Sequence, residues 1–243
     1  MSEVKVFPVD VRTLQERVYQ ELRSALFQGR YAPGEIITIR TLARALGTSE
    51  MPVREALQRL VAQNALRQTA TRSIQVMPIT LERYVELLRI RGTIEGFAAK
   101  LATRFVDAKL IRELKQYNLD MSSAIAAGEQ LSVLQANQEF HFAVYRAAHS
   151  PQLLEIIESF WLRSGPFLAK AYIGPRRPEE MFTRGTRVHD RLVAALERGD
   201  AKRAMYAMML DIRAAGAWYR RFCDFSPEIE SVGNRTKRSG NSV

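Results

Sequence analysis

Asn137 and His141 stand four residues apart, so on a helix their side chains share one face. His189 and Asp211 lie further along the chain. One amide oxygen, two imidazoles and one carboxylate form a ligand set for a divalent cation. Imidazole with oxygen donors suits Zn, Mn, Ni or Fe rather than Ca. The same residues read without a metal are histidines that pack or titrate. A cation with open positions could chelate a small carboxylate or hydroxy acid, and Arg91 could take a second carboxylate oxygen. The alternative for Arg91 is an ion pair with Glu95, one helical turn on. Tyr145, one turn beyond His141, either lines such a pocket or serves as a core aromatic.

Catalysis finds little support. A metal with histidines and a carboxylate would also serve a hydrolase. Yet the chain has no Ser or Cys nucleophile beside a His, no glycine-rich phosphate loop and no HExxH run. The remaining histidine, His149, precedes Ser150-Pro151 at an expected helix end and is given no role. The expectation is a binding protein, not an enzyme.

These residues need a scaffold, and the pattern from Thr80 onward predicts helices alone. They fall near 80–104, 107–127, 131–149, 151–173, 178–198 and 200–222. Thr80 can cap the first, and Gly128, Ser150-Pro151, Gly174-Pro175 and Gly199-Asp200 punctuate the series. Six helices without strands make a bundle, expected over 79–225. Trp161, Phe167, Tyr172 and Trp218 are expected in core and interface. The polar stretch 226–243 is expected to be a disordered tail.

The first part of the chain, 1–78, reads differently. Leu14, Val18, Leu22 and Leu26 recur at helical spacing, and Gly29 and Pro33-Gly34 close that helix. Leu42 with Leu46, and Val53 with Leu57, give two short segments one apolar face each. Thr38 can cap the first of these, and Gly47 can end it in a left-handed conformation. Ser49 can cap the second, with Pro52 tolerated in its first turn. Arg54, Gln58 and Arg59 then point outward, as a helix entering a DNA major groove requires. Arg44 and Arg59 taken alone fit an ordinary solvated face. Two alternating runs, 66–69 and 74–76, flank the turn-like 70–73 and predict a hairpin with Arg72 at its tip. Helix, helix-turn-helix and hairpin make a winged helix, so the fold class is mainly α with a small β wing.

Composition agrees without deciding. The 243 residues hold 36 Lys and Arg against 26 Asp and Glu, a net charge of +10 that suits an anionic partner. The excess is spread out, with 11 Lys and Arg against 7 Asp and Glu in residues 1–78. One cysteine, Cys223, excludes an intrachain disulfide and reads as a packed residue. No apolar run approaches a membrane span and no signal-peptide core is present, so a cytoplasmic protein without a membrane role is expected.

The run from Gly29 to Ile37, Leu42-Ala43, Leu46-Gly47 and Pro52-Val-Arg-Glu-Ala-Leu-Gln-Arg-Leu60 resembles the DNA-binding domain of GntR-family bacterial transcription regulators. The resemblance implies DNA contacts from Arg40 and Arg54, and from the position of Glu50, where the family usually has Arg. Glu50 could accept from a cytosine amine or turn aside to pair with Arg54. Ser73 stands where a wing-tip glycine is usual. Arg91-Gly-Thr-Ile-Glu95, the Asn137-to-His141 element and His189 are similar to the FCD effector domain of the FadR subfamily, in its VanR-like branch. That family's third His falls at Asp211, which implies a harder metal or a degenerate site.

One helix-turn-helix reads only a half-site, so a homodimer on a palindromic double-stranded operator is expected, with DNA contacts from Arg40, Ser49, Glu50, Arg54 and Arg72. A small organic acid would control operator affinity, held by Arg91 and Tyr145 and by a divalent metal on Asn137, His141, His189 and Asp211. Repression is expected, with activation left open. Two other readings keep the architecture of a DNA binder: one with no metal and a hydrophobic effector, the other a structural binder with no effector.

Overall fold

A computed structural model describes residues 14–167, 178–223 and 225. Helix α1 spans Leu14–Phe27 and buries Val18, Leu22 and Leu26 of the expected stripe, with Tyr19 beside them, while Leu14 at its first turn is exposed. Helix α2 (Ile39–Ala45) is capped by the Thr38 hydroxyl, which accepts from the Thr41 amide at 3.4 Å. Gly47 follows it at φ 62°, a left-handed conformation that costs glycine little. Helix α3 (Glu50–Ala62) begins after Ser49, which occupies the cap position with no side-chain capping bond. Its apolar face of Val53, Ala56, Leu57 and Leu60 packs on α1.

The hairpin forms as expected from β2 (Leu66–Gln68) and β3 (Ile74–Val76), paired antiparallel with Leu66 opposite Val76 and Gln68 opposite Ile74. Arg72 at the tip takes φ 59° itself, so the turn closes without a glycine beside it. A third strand, β1 (Ile36–Ile37), adds to the other edge of β3 and gives the order β1-β3-β2. Two residues are too short for an alternation pattern, and the strand exists only because the wing offers it an edge.

The second part is helical throughout its described residues. Helices α4 (Leu81–Ala102), α5 (Ala108–Ala127), α6 (Gln130–Ala147), α7 (Pro151–Ser164), α8 (Glu179–Glu197) and α9 (Ala201–Phe222) follow in order. Side chains of Thr80, Asp107 and Asp200 cap α4, α5 and α9, and Gly128 at φ 72° ends α5. Helix α4 packs against α6, α7 and α9, while α5 packs against α6 and α8. Helix α7 ends at Ser164, short of the expected 173: Gly165 keeps helical angles (φ −52°, ψ −44°), but Pro166 has no amide hydrogen to carry the same helix on, and residues 168–173 lie outside the described residues. Tyr172, the Gly174-Pro175 break, the segment 1–13 and the expected tail 226–243 lie outside the described residues. No helix among the described residues is long and apolar enough to cross a membrane.

The core does not stop at the domain junction. Phe27 stacks on Phe142 with centroids 5.5 Å apart and meets Trp161 edge-on at 6.3 Å. Arg23 on α1 pairs with Glu158 on α7 at 2.5 Å. The end of α7 is the seat for α1: a Cβ on Gly165 would lie 2.3 Å from the Leu26 carbonyl oxygen. Only a glycine permits so close a backbone approach.

Candidate metal and effector site

Helices α6, α8 and α9 bring His141, His189 and Asp211 to one buried point, where their ligand atoms all lie within 4.8 Å of one another. His141 Nε2 is 3.2 Å from Asp211 Oδ2, and His189 Nε2 is 3.8 Å from Asp211 Oδ1. Asn137 lines the adjoining cavity with His141 and Asp211. The sequence-predicted metal set is thus gathered on one side of the bundle.

The hydrogen bonds behind the histidines decide what faces the centre. Tyr145 donates its single hydrogen to Glu95 Oε2, so its oxygen is left to accept from His141 Nδ1 at 3.1 Å. Glu95, fully buried, also takes Arg91 Nε at 2.5 Å, Arg91 Nη2 at 3.2 Å and Trp161 Nε1 at 3.4 Å. On the other side, the Asn118 amide donates to the Thr186 carbonyl at 3.0 Å and to Asp190 Oδ1 at 2.8 Å. Its oxygen lies 3.1 Å from His189 Nδ1. Both imidazoles therefore carry Nδ1–H in the neutral form and turn an Nε2 lone pair toward Asp211. His189 Nε2 is buried with no hydrogen-bond partner.

Electrostatics follow from this arrangement. Burial pushes the His189 pKa down to about 3, only partly opposed by Asp211. Burial alone would raise Asp211, but whenever His141 also carries a hydrogen on Nε2 the bond it donates, and then the charges of His189, His141 and Arg91, hold the carboxyl below the usual range. Burial also works against the Arg91 charge, and Glu95 outweighs it. The Tyr145 hydroxyl is pushed well above its ordinary value, by burial first and then by Glu95.

A cavity of about 80 Å3 opens beside the cluster. Its walls include Tyr84, Met121, Phe182 and Tyr219 with Arg91 and Asp211. Arg91 makes the expected ion pair with Glu95 and a further bond to Ser164 Oγ at 2.9 Å, and it lines this cavity. Of its two expected readings Tyr145 takes the core one: it is buried, off the cavity wall, and stands behind His141, where it orients the ring. Asn118 and Trp161 were missed as site residues. Asn118 interrupts the apolar stripe of Ile111, Leu114 and Met121 on α5, and a polar side chain in such a stripe is a readable signal.

The N-terminal face carries the other set. Arg40, Glu50, Arg54 and Arg72 are exposed at the start of α2, the start of α3 and the wing tip. Glu50 lies 3.7 Å from Arg40 and 3.9 Å from Arg54, so the pairing with Arg54 extends to both arginines. Arg59 is held within the domain, by Glu16 at 2.6 Å and over the Tyr19 ring at 3.7 Å.

A winged helix with an exposed cationic recognition helix, joined to a helical bundle with a buried polar cavity, defines a DNA-binding regulator with a sensing domain. Residues 14–76 match the bacterial regulatory proteins of the gntR family and residues 86–214 match the FCD domain. The chain belongs to the gntR family, in the group that carries an FCD domain, and is a transcriptional regulator rather than an enzyme. It is 32% identical over 160 residues to the HTH-type transcriptional regulator McbR of Escherichia coli (strain K12), covering 66% of this chain and 72% of McbR. The structure of E. coli McbR/YncC superposes with a TM-score of 0.82 at 28% identity, covering 87% of this chain and 99% of that one. The gluconate operon transcriptional repressor of Bacillus subtilis (strain 168) is 25% identical over 223 residues, 89% of this chain and 85% of the repressor.

Proposed function

We propose that this regulator is a cytoplasmic homodimer that represses from a palindromic operator and is controlled by a small organic acid bound at a divalent cation in the bundle. The working division is a DNA-binding part over 1–78 and a sensing and dimerising part over 79–225. His141, His189 and Asp211, with the Asn137 amide oxygen, would hold the cation. One observation carries this reading: two imidazole Nε2 atoms and a carboxylate face one another in a buried space, and His189 Nε2 has no hydrogen-bond partner. Without a cation or an added proton, His141 Nε2 and the Asp211 oxygen would oppose lone pair to lone pair at 3.2 Å. A cation at ~2.1 Å from each ligand relieves that.

With these four ligands, a six-coordinate cation such as Mn2+ would keep positions for an effector carboxylate, whereas a tetrahedral Zn2+ would have to do without the amide. The cation would supply a Lewis-acidic seat for a carboxylate. The chain's own residues supply the rest. Arg91, held charged by Glu95, has donors left after its bonds to Glu95 and Ser164. The aromatic and methionine walls favour an effector with an apolar body behind its acidic head.

The end of α7 supports coupling to DNA. Trp161, Ser164 and Gly165 line the cavity, and Trp161 and Gly165 also seat Phe27 and Leu26 of α1. An effector that displaces this wall would move α1 and with it α3, changing the spacing of the recognition helices in a dimer. A coupling of about 1–3 kcal/mol suffices for regulation. Dimerisation follows from half-site reading by a single winged helix, and repression is the role that the name of the gluconate operon relative carries.

The test combines elemental analysis of purified protein, thermal unfolding with and without chelator, and operator binding across Zn2+, Mn2+ and a panel of organic acids. A bound metal whose removal lowers the melting temperature is expected. No metal and an unchanged melting temperature would overturn the cation site and favour a metal-free cavity with an apolar effector. Equal binding of palindromic and random duplexes would overturn operator recognition.

A further inference from the structure

We infer that Asn118 is a positioning residue that locks the His189 ring in its Nδ1–H tautomer, so that the Nε2 lone pair is aimed at Asp211. The amide has two hydrogens, and both are committed, to the Thr186 carbonyl at 3.0 Å and to Asp190 Oδ1 at 2.8 Å. Both of those partners are acceptors only, so the amide cannot flip without setting its oxygen against a carbonyl and a carboxylate. The oxygen therefore faces His189 Nδ1, 3.1 Å away, and must receive a hydrogen from it. The ring is also fixed in plane, stacked on Phe140 with centroids 3.8 Å apart and planes at 7°. Four contacts from α5, α6 and α8 thus determine one unpartnered nitrogen.

The sidedness matters. Were Nδ1 free to lose its hydrogen, the Nε2–H tautomer would donate toward Asp211 Oδ1, 3.8 Å from it, and fill the centre with a hydrogen. Asn118 excludes that escape. His141 is held in the same tautomer through Tyr145, a residue tied to an ion pair, whereas the His189 shell rests on an amide in an otherwise apolar stripe of α5.

The consequence for cation affinity rests on the cation site proposed above, while the tautomer can be tested without it. The chain has three histidines, so long-range 15N–1H spectra of the 15N-histidine-labelled, metal-free protein can be assigned by single His→Gln variants. His189 is expected with hydrogen on Nδ1 and none on Nε2. In Asn118→Leu the ring should shift to the Nε2–H tautomer, and Mn2+ affinity should fall roughly 10- to 100-fold. If the leucine variant does not fold, the wild-type spectrum decides by itself. Hydrogen on Nε2 in the wild type, or an unchanged tautomer in a folded Asn118→Leu, would each overturn the assignment. If the wild type binds no Mn2+, the cation reading fails, and the wild-type tautomer still decides the role of Asn118.

Discussion

Phe27, the last residue of α1, stacks on Phe142 of the helical bundle with ring planes 25° apart. The two residues belong to segments that match separate family models, yet they share one core cluster with Trp161. A winged helix tethered only through Met77-Pro78 could swing freely. One whose first helix ends inside the partner domain's aromatic core cannot move without disturbing that core.

Phe27→Ala should therefore cost about 3–5 kcal/mol, as for a buried Phe in general. The wild type is expected to unfold in one calorimetric transition and the variant in two, as the winged helix separates from the bundle. Operator binding should survive while any dependence on bound ligand is lost. A single transition at unchanged temperature in the variant would show that the ring contact couples nothing.

Much of this was readable beforehand. Caps at Thr38 and Thr80 and the left-handed turns at Gly47 and Gly128 are local chemistry, and local chemistry is what a sequence displays. That His141, His189 and Asp211 meet was readable from the family resemblance more than from spacing, which by itself is a weak signal. The shells behind them were not. Asn118 and His189 are 71 residues apart, and their bond depends on how α5 packs on α8. Trp161 looked like core from its type alone, since nothing local says that one edge faces Glu95 and another Phe27. Tyr145 was placed one turn from His141 correctly, but facing the cavity or facing the core differs by a fraction of a turn that packing decides.

Glu95 gathers Arg91, Tyr145 and Trp161 in a fully buried site. Glu95→Gln would leave the guanidinium without its counter-charge and set an amide hydrogen among donors. Breaking a buried pair by removing one partner costs about 3–5 kcal/mol. Urea unfolding should show that loss, and Arg91→Leu combined with Glu95→Leu should recover a good part of it. A loss in the double variant as large as in Glu95→Gln would mean the pair itself is not what the site depends on.

Glu50 sits between Arg40 and Arg54 and screens the two cations expected to meet DNA. All three side chains are substantially exposed, so each pairing is worth roughly 0.2–1 kcal/mol and weakens with salt. Glu50→Gln should tighten binding to random duplex by up to about fivefold per half-site at low salt. Discrimination between operator and random duplex should narrow. Anisotropy titrations over a salt series would measure both. Weaker binding by the variant at every salt would instead identify Glu50 as a direct reader of a base.

Acid should destabilise this protein over a window set by His189. Its pKa falls from an ordinary 6.5 to about 3 on folding, because burial disfavours the charged ring. Between those values the unfolded chain binds the proton and the folded chain does not, so stability drops as pH falls below ~6.5. By about pH 5 the loss relative to about pH 8 is on the order of 2 kcal/mol. Asp211, whose folded pKa is lowered, acts in the same direction at the acid end, since the unfolded carboxyl takes its proton first. Protons also compete with any cation for the same Nε2 atoms, so saturating Mn2+ should raise the melting temperature near neutral pH and lose its effect in acid. Melting curves from about pH 8 to about pH 4.5, with and without Mn2+, would test this against His189→Gln. The variant should show a flatter profile in the metal-free series, and an equally steep one would assign the acid sensitivity to other groups.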